Sequence, residues 1–393
     1  MRRSQLFARI LAPLLNPEEV RLVRKAERSQ SALPDAEHLR LAADWLLTAQ
    51  RAAGGGGYAR LYCLVRRRWD KAYIETTGYI IPTMLQAADH VRDERYRDSA
   101  CRAARWLLSV QNPDGSFNDI DKGVAMVFDT GQCLLGLNAL ARTTGDEAYY
   151  AAACKAGDWL VTQQEPDGSW VRHSYLGRKH TYYTRVAAAL IELADLTRKP
   201  RYAEAGQRFL DWALMQQTAN GYFNHANFAA GEPPYLHTMA YVLEGLLHAC
   251  TFTRSDPMLQ AALRYAERLK QINIGRDGIL YSQYDPEFRA VEKSYCTTGL
   301  AQWAGVCLKL YDITGDVAYL ESARKTIYFL KRNQIRQGMN STGGFTASIP
   351  FYGAYVPGML VNWTNKFFID ALMARERHSL PPEREGELLS VQG

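Results

Sequence analysis

The phrase QQEPDGSW at residues 163–170 belongs to a series. VQNPDGSF fills 110–117, QQTANGYF 216–223, NIGRDGIL 273–280 and STGGF 341–345, and Gly115, Gly168 and Gly221 stand 53 residues apart each time. Gly57, Gly278 and Gly344 extend the series with looser spacing. A period of that length running nearly end to end favours one large closed architecture over the several average domains that 393 residues could form. Each repeat carries two helical patterns. The first ends in a phrase such as DWLLTAQ (44–50), RWLLSVQ (105–111), DWLVTQQ (158–164) or DWALMQQ (211–217), and mixes charged with apolar residues so that one face is wet. The second is apolar almost all round, as in TGYIIPTMLQAADHV or TMAYVLEGLLHACT, which demands burial on every side.

Six outer and six inner helices in strict alternation describe an all-α chain folded as an (α/α)6 toroid. Every inner pattern opens with a threonine: Thr77, Thr130, Thr184, Thr238, Thr298 and Thr364. A hydroxyl there suits an N-cap, because it can accept a bond from an orphan backbone N–H. The long loops precede these threonines, and short connections such as TTGDEA (143–148) lead back to the next outer helix. Asp/Asn-Gly in the recurring phrase supplies the turn that ends each outer helix. The expected organisation is a basic helical extension over 1–36, the toroid over 37–376 and a loose tail over 377–393.

Residues 1–30 hold seven basic against three acidic side chains. They read as a helix packed on the toroid, with peripheral contact of a basic amphipathic helix with anionic lipid as the alternative. The apolar run at the start is short and contains Arg9, unlike a secretory leader. Seven cysteines without a C-x-x-C pair read as reduced core residues of a cytoplasmic protein, membrane-peripheral if the N-terminal helix meets lipid. A net charge of +6 biases the chain mildly toward anionic ligands and carries no nucleic-acid pattern. No metal-ligand spacing, P-loop or dinucleotide motif is present, so no metal and no cofactor is expected.

The phrase from Gln164 to Trp170 resembles the QW motif of triterpene cyclases and prenyltransferase beta subunits. The layout also resembles six-hairpin carbohydrate-active proteins: uronyl hydrolases, sugar 2-epimerases, toroid polysaccharide lyases and the helical C-terminal domain of glucuronyl C5-epimerases. ILYSQYDPEFRAVEKSYCTTGLAQWAGVCLKLYDITGD and NWTNKFFIDALM are similar to bacterial polysaccharide-locus proteins related to that epimerase domain. These resemblances imply the toroid over about residues 37–376 and leave the chemistry open, because one fold hosts many reactions.

Six inner helices with parallel axes aim their N-termini, and hence their positive dipole ends, at one face. An anionic sugar or glycan, free or linked to a nucleotide or lipid carrier, is the expected partner, processed in surface polysaccharide biosynthesis. Aromatic, amide and guanidinium groups in the loops suit sugar binding: Arg67, Arg68, Trp170, His180, Arg185, Asn224, Tyr235, Tyr284, Tyr352, Trp363 and Asn365. Proton abstraction next to a uronate carboxylate, giving epimerisation or elimination, could use Tyr182, Tyr183, Tyr284 or Tyr295 and His225 or His237 as bases, with Arg185 and Asn224 neutralising charge. Asn224 and His225 resemble the asparagine-histidine pairing of toroid lyases. Hydrolysis would use Glu75 and Asp129, which lie on consecutive inner-helix starts and resemble the paired acids of uronyl hydrolases. Isoprenoid chemistry is a further alternative, although D-x-D-D and D-D-x-x-D are absent and only Arg66, Arg67, Arg68 and Lys71 offer a diphosphate site. A glycan-binding toroid without catalysis would look similar in sequence; two ionisable groups facing one ligand carbon would distinguish an enzyme from it.

Overall fold

The computed structural model of the chain describes residues 3–28, 30–272 and 278–378. Two N-terminal helices, α1 (Arg3–Leu15) and α2 (Pro17–Glu27), precede the repeats. Outer helices are α3 (Asp35–Ala52), α5 (Glu94–Val110), α7 (Glu147–Thr162), α9 (Pro200–Met215), α11 (Asp256–Gln271) and α13 (Val317–Asn333). Inner helices are α4 (Ile74–Val91), α6 (Val127–Thr144), α8 (Thr184–Thr197), α10 (Leu236–Thr253), α12 (Thr297–Thr314) and α14 (Asn362–Glu376). Each inner helix packs on the next and α14 packs back on α4, so the ring is closed: an (α/α)6 toroid. Of the tail expected over 377–393, and of the turn phrase at 273–280, the greater part lies outside the described residues.

The two helix sets are made differently. Outer helices α5, α7 and α13 start on Asp93, Asp146 and Asp316, whose carboxylates accept from backbone N–H groups two residues on. Inner helices α4, α6, α8, α10 and α14 have no side-chain N-cap. This corrects the expectation for the threonines, which lie inside the first turn and tie neighbouring segments together. Thr77 and Thr130 accept from the backbone N–H of Tyr58 and Phe117, both at 3.0 Å, joining each inner helix to the turn that precedes it. Thr184 donates toward the carbonyls of Tyr241 and Val242 in α10, and the hydroxyls of Thr298 and Thr364 pair at 2.6 Å. In a ring this tight a hydroxyl meets a neighbouring segment before its own helix end. Gly78 and Gly136 show how close the approach is, since a β-carbon on Gly136 would stand 2.2 Å from the carbonyl oxygen of Gly78.

The recurring phrase has a specific mechanical role. The amide of Gln164 donates to Gly168 O and to Ala205 O of the next outer helix, both at 2.8 Å. Gln111 makes the same pair of bonds to Gly115 and Ala152, Gln217 to Gly221 and Ala261, and Gln50 to Gly56 and Ser99. Glycine follows from the same packing. Gly115 and Gly168 have φ of +94° and +86°, and a β-carbon there would lie 2.2 and 2.4 Å from carbonyl oxygens of Lys155 and Arg208. Each glutamine therefore stitches one outer helix to the next through the turn.

The inner-helix N-termini carry all the long loops. On that face the strand Leu61–Cys63 pairs antiparallel with Arg68–Trp69 and with Met359–Val361, joining the first hairpin to the last. Helices α1 and α2 lie against the loop between α13 and α14: Glu19 accepts from the hydroxyl of Ser341 and from Asn340 N–H, and Arg24 lies over the Phe351 ring. Among the described residues no helix is long and apolar enough to cross a membrane.

Candidate active site

Along each inner helix, one face points at the toroid axis, and residues three or four apart share it. Glu75 and Tyr79 of α4, Asp129 and Gln132 of α6, and His237, Tyr241 and Glu244 of α10 follow this spacing, joined by Arg185 of α8, Gln302 of α12 and Lys366 and Phe367 of α14. They form a connected set. Arg185 donates through Nη1 to Glu244 Oε2 at 2.6 Å and through Nε to Gln132 Oε1 at 2.9 Å. Gln302 donates to the same Glu244 oxygen at 3.1 Å, and its own carbonyl faces His237 Nδ1 at 2.6 Å. The guanidinium lies 4.7 Å from the centre of the Tyr241 ring. Lys366 pairs with Asp370 at 2.6 Å and sits 4.2 Å from the Phe367 ring centre.

Above this network, at the N-terminal ends of α4 and α6, are two carboxyls. Tyr73 donates its hydroxyl to Glu75, and Tyr73 in turn meets Trp363 edge-on. Glu75 keeps part of its surface accessible, while Asp129 is 5% exposed and its Oδ1 has no hydrogen-bond partner. Burial is the first cause that pushes the Glu75 carboxyl up to about 7; the Tyr73 hydroxyl and Arg185 pull it back. Burial also raises Asp129 well above the carboxylate range, and the neighbouring charges of Glu75 and Asp119 add to it. Both carboxyls therefore keep their protons to higher pH than free carboxyls do, Glu75 to about 7. Aromatic rings wall the pair: Phe128 packs on Tyr182 and Tyr183 at 5.3 Å, and His237 lies 5.5 Å from Tyr355, whose hydroxyl accepts from Trp363 Nε1. Desolvation lowers His237 to about 3, so its ring is neutral.

Of the residues singled out from sequence, Glu75, Asp129, Tyr182, Tyr183, Arg185, Tyr235, His237 and Trp363 come together here, with His180 at the edge, held between the carbonyls of Asn227 and Tyr175 and 4.8 Å from the Tyr182 ring. Others do not. Trp170 is fully buried between outer helices, donating to Leu160 O at 3.0 Å and stacking on Phe209. His225 faces Trp212 of the outer ring. Asn224 is exposed, and its carbonyl accepts from Thr181. Tyr284 accepts from Tyr281 N–H, Tyr295 stacks on Tyr281 and Phe329, and Tyr352 lies under Arg9. Asn365 bridges Ala42 O and Gly343 O, and Arg67 and Arg68 sit on an exposed strand turn. These side chains serve the loops and the outer ring. The cationic mouth expected from the helix ends is also changed, because Arg185 is neutralised by Glu244 and Arg60 by Asp70 and Asp121.

Sequence reasoning missed Gln132, Tyr241, Glu244, Gln302 and Lys366. The available signal was a polar side chain inside an otherwise apolar inner helix, at three- or four-residue spacing from the helix start. Below Arg185 and Glu244 the axis opens into a cavity of about 220 Å³, lined also by His248, Gly305 and Lys309. Burial pushes the Lys309 amine down. A larger surface hollow of about 720 Å³, bordered by Gly221, Arg264, Glu267 and Tyr319, contains none of the axial groups.

Residues 71–243, which hold Glu75, Asp129, Gln132, Arg185, His237 and Tyr241, match the family model of the squalene-hopene cyclase C-terminal domain. Drimenyl diphosphate synthase of Streptomyces showdoensis is 23% identical over 195 residues, covering 50% of this chain and 34% of that protein. Ent-copalyl diphosphate synthase of Streptomyces sp. (strain KO-3988) is 35% identical over 94 residues, 24% of this chain and 17% of the relative. The chain thus matches about a third or less of the length of these curated relatives. Among solved structures, an unsaturated glucuronyl hydrolase specific for heparin superposes with a TM-score of 0.71 at 14% identity, covering 88% of this chain and 98% of the other. Cellobiose 2-epimerase from Bacillus thermoamylovorans B4167 does so with 0.68 at 12%, covering 86% and 98%. These structural likenesses establish the toroid fold.

Proposed function

We propose that the chain is a carbohydrate-active enzyme that performs acid/base chemistry on a uronate-containing sugar through Glu75 and Asp129. The observation that carries this reading is the pair itself: two desolvated carboxyls on adjacent inner-helix starts, Asp129 raised well above the carboxylate range and Glu75 raised to about 7. A proton donor and acceptor work best when their affinities straddle the working pH. The buried tyrosines suit this task less well, because burial raises Tyr182 and Tyr183 further above 10. His237 at about 3 is a weak base. The carboxyl pair therefore ranks ahead of the tyrosine and histidine bases expected from sequence.

A sugar is favoured as the substrate by polar atoms on the same face of α6. Asp129 Oδ1 and Gln132 Nε2 are buried and without partners, one an acceptor or acid and the other a donor. A hydroxyl-bearing ring satisfies both, whereas a hydrocarbon would leave them unpaired at a cost of about 1–3 kcal/mol each. The glucuronyl hydrolase and sugar epimerase neighbours support the same class.

A second reading is supported by the cyclase model and the diphosphate synthases matched in sequence. A carboxyl of raised proton affinity among aromatic rings could also protonate an alkene, and the rings would stabilise the resulting cation. The test is incubation in deuterium oxide with uronate oligosaccharides, saturated and unsaturated, and in parallel with isoprenyl diphosphates. Deuterium at C5, an unsaturated product or a new reducing end identifies epimerase, lyase or hydrolase. Turnover of the diphosphates alone would replace the sugar reading with the second one, and sugar turnover that survives in Glu75→Gln and Asp129→Asn would reject the carboxyl pair.

A further inference from the structure

Helix α1 is built inside out for a helix that faces water. The face turned to the protein is small and partly polar, with Gln5, Ala8 and Ala12 buried. The face turned outward carries Leu6, Phe7, Ile10, Leu14 and Leu15, which are 45–70% exposed. Water alone would select the opposite arrangement, so this surface is shaped for a different medium.

Its surroundings are basic. Arg3 and Arg9 on α1, and Arg21, Arg24, Lys25 and Arg28 in and just after α2, are exposed; Glu18 is the one exposed acid of the two helices, Glu19 being buried and Glu27 half-buried. Three consecutive exposed arginines, Arg66 to Arg68, form the turn between strands Leu61–Cys63 and Arg68–Trp69. That turn adjoins α1 through Gly358, whose carbonyl accepts from Leu64 N–H at 3.0 Å and whose α-carbon is covered by Ala8.

We infer that α1 and the arginine turn together form a docking surface for an anionic lipid bilayer, in which the leucines, Phe7 and Ile10 enter the headgroup boundary while the arginines meet lipid phosphates. The chemistry is complementary in both respects: apolar side chains on one helical face and positive charge around it. The surface also touches the mouth of the toroid. Arg9 lies over Tyr352 and Arg24 over Phe351, and the same loop continues to Tyr355 beside His237. Docking would hold the mouth of the toroid next to the headgroups. The inference stands whether or not the proposed sugar chemistry is correct.

The test is co-sedimentation of the full chain with vesicles of phosphatidylcholine alone and of phosphatidylcholine mixed with phosphatidylglycerol. Binding at least about tenfold stronger to the anionic vesicles, weakened by salt, is expected. The double variant Phe7→Asp with Ile10→Asp should lose about tenfold or more of that binding, and the triple variant Arg66→Gln, Arg67→Gln, Arg68→Gln should narrow the preference for anionic over neutral vesicles. Because all five side chains are exposed, melting temperatures should stay close to that of the parent. Absence of binding by the parent chain, or equal binding to neutral and anionic vesicles, would overturn the inference. So would a concentration-dependent dimer in sizing experiments that Phe7→Asp abolishes, since a second copy would then be what covers the face.

Discussion

The side-chain amide of Gln334 donates to the carbonyl of His38 at 3.2 Å, although the two residues lie 296 positions apart. Its other hydrogen goes to Gly343 O at 3.0 Å, and its carbonyl faces His38 Nδ1. This is the pair of bonds that Gln164 makes to Gly168 and Ala205, repeated across the seam where the last outer helix meets the first. Replacing Gln334 by Ala should therefore cost about 2–3 kcal/mol in denaturant unfolding, comparable with Gln164→Ala, because each removes two hydrogen bonds to buried carbonyls. A cost near zero at both sites would mean that the stitches add nothing to the ring.

The turn glycines give a sharper contrast. Gly168→Ala places a β-carbon 2.4 Å from Arg208 O at a φ of +86°, whereas Gly145 has a φ of +67° with nothing within 4 Å. The first substitution should cost about 3 kcal/mol or more, and the second about 1 kcal/mol from backbone conformation alone. Chemical denaturation of the two variants side by side checks the difference.

For the carboxyl pair, Glu75→Gln and Asp129→Asn should each lower kcat by about 10²–10⁴ on the substrate identified by the screen. The parent enzyme should show a titration limb near pH 7, set by Glu75. In Glu75→Gln that limb should vanish from whatever residual activity remains. A limb that persists unchanged would assign it to another group.

Stability should carry the same titration with a defined sign. Burial raises Glu75 from 4.5 to about 7, so between those values the folded chain holds a proton that the unfolded chain has lost. The contribution of this carboxyl is thus fully present below about pH 4.5 and is lost as pH rises through about 7. The melting temperature of Glu75→Gln relative to the parent should climb over that window and level off above it, by on the order of 3 kcal/mol in free energy. Calorimetry at several pH values measures it.

The Arg185–Glu244 pair is mostly buried, its side chains 10% and 19% exposed. Glu244→Leu should destabilise by about 3 kcal/mol, because it strands a guanidinium, while Arg185→Met combined with Glu244→Leu should cost markedly less. Thermal melts of the single and double variants test this, and equal losses would show that Gln132 and Tyr241 satisfy the arginine unaided.

The fold was legible because it repeats: a 53-residue period and two helical textures suffice to count six outer and six inner helices. Glu75 and Asp129 were legible for a geometric reason, since a residue beside an inner-helix start must lie at the mouth. The roles of the threonines and glutamines were not. Thr77 and Gln164 bond to segments brought near only by the packing of neighbouring helices and turns, and local pattern carries no information on such partners. Gln132 and Glu244 were hidden for a related reason. They sit one turn or more inside helices whose apolar character marks them as packing elements, and only the common axis shows that their polar residues converge. Other candidates misled in the opposite sense, because aromatic and amide groups such as Trp170 and Asn365 are also what ties turns and helices of a scaffold together.

The seam between α3 and α13 has a bearing on how the chain matures. On a ribosome the first outer helix emerges long before the helix that will flank it, so during most of synthesis the inner helices form an open arc whose apolar sides face water. Contacts of such high sequence separation form late, and arcs of this kind are prone to pair with one another. Polypeptides released before α13 and α14 are made should therefore associate edge to edge, each supplying the missing flank of its neighbour.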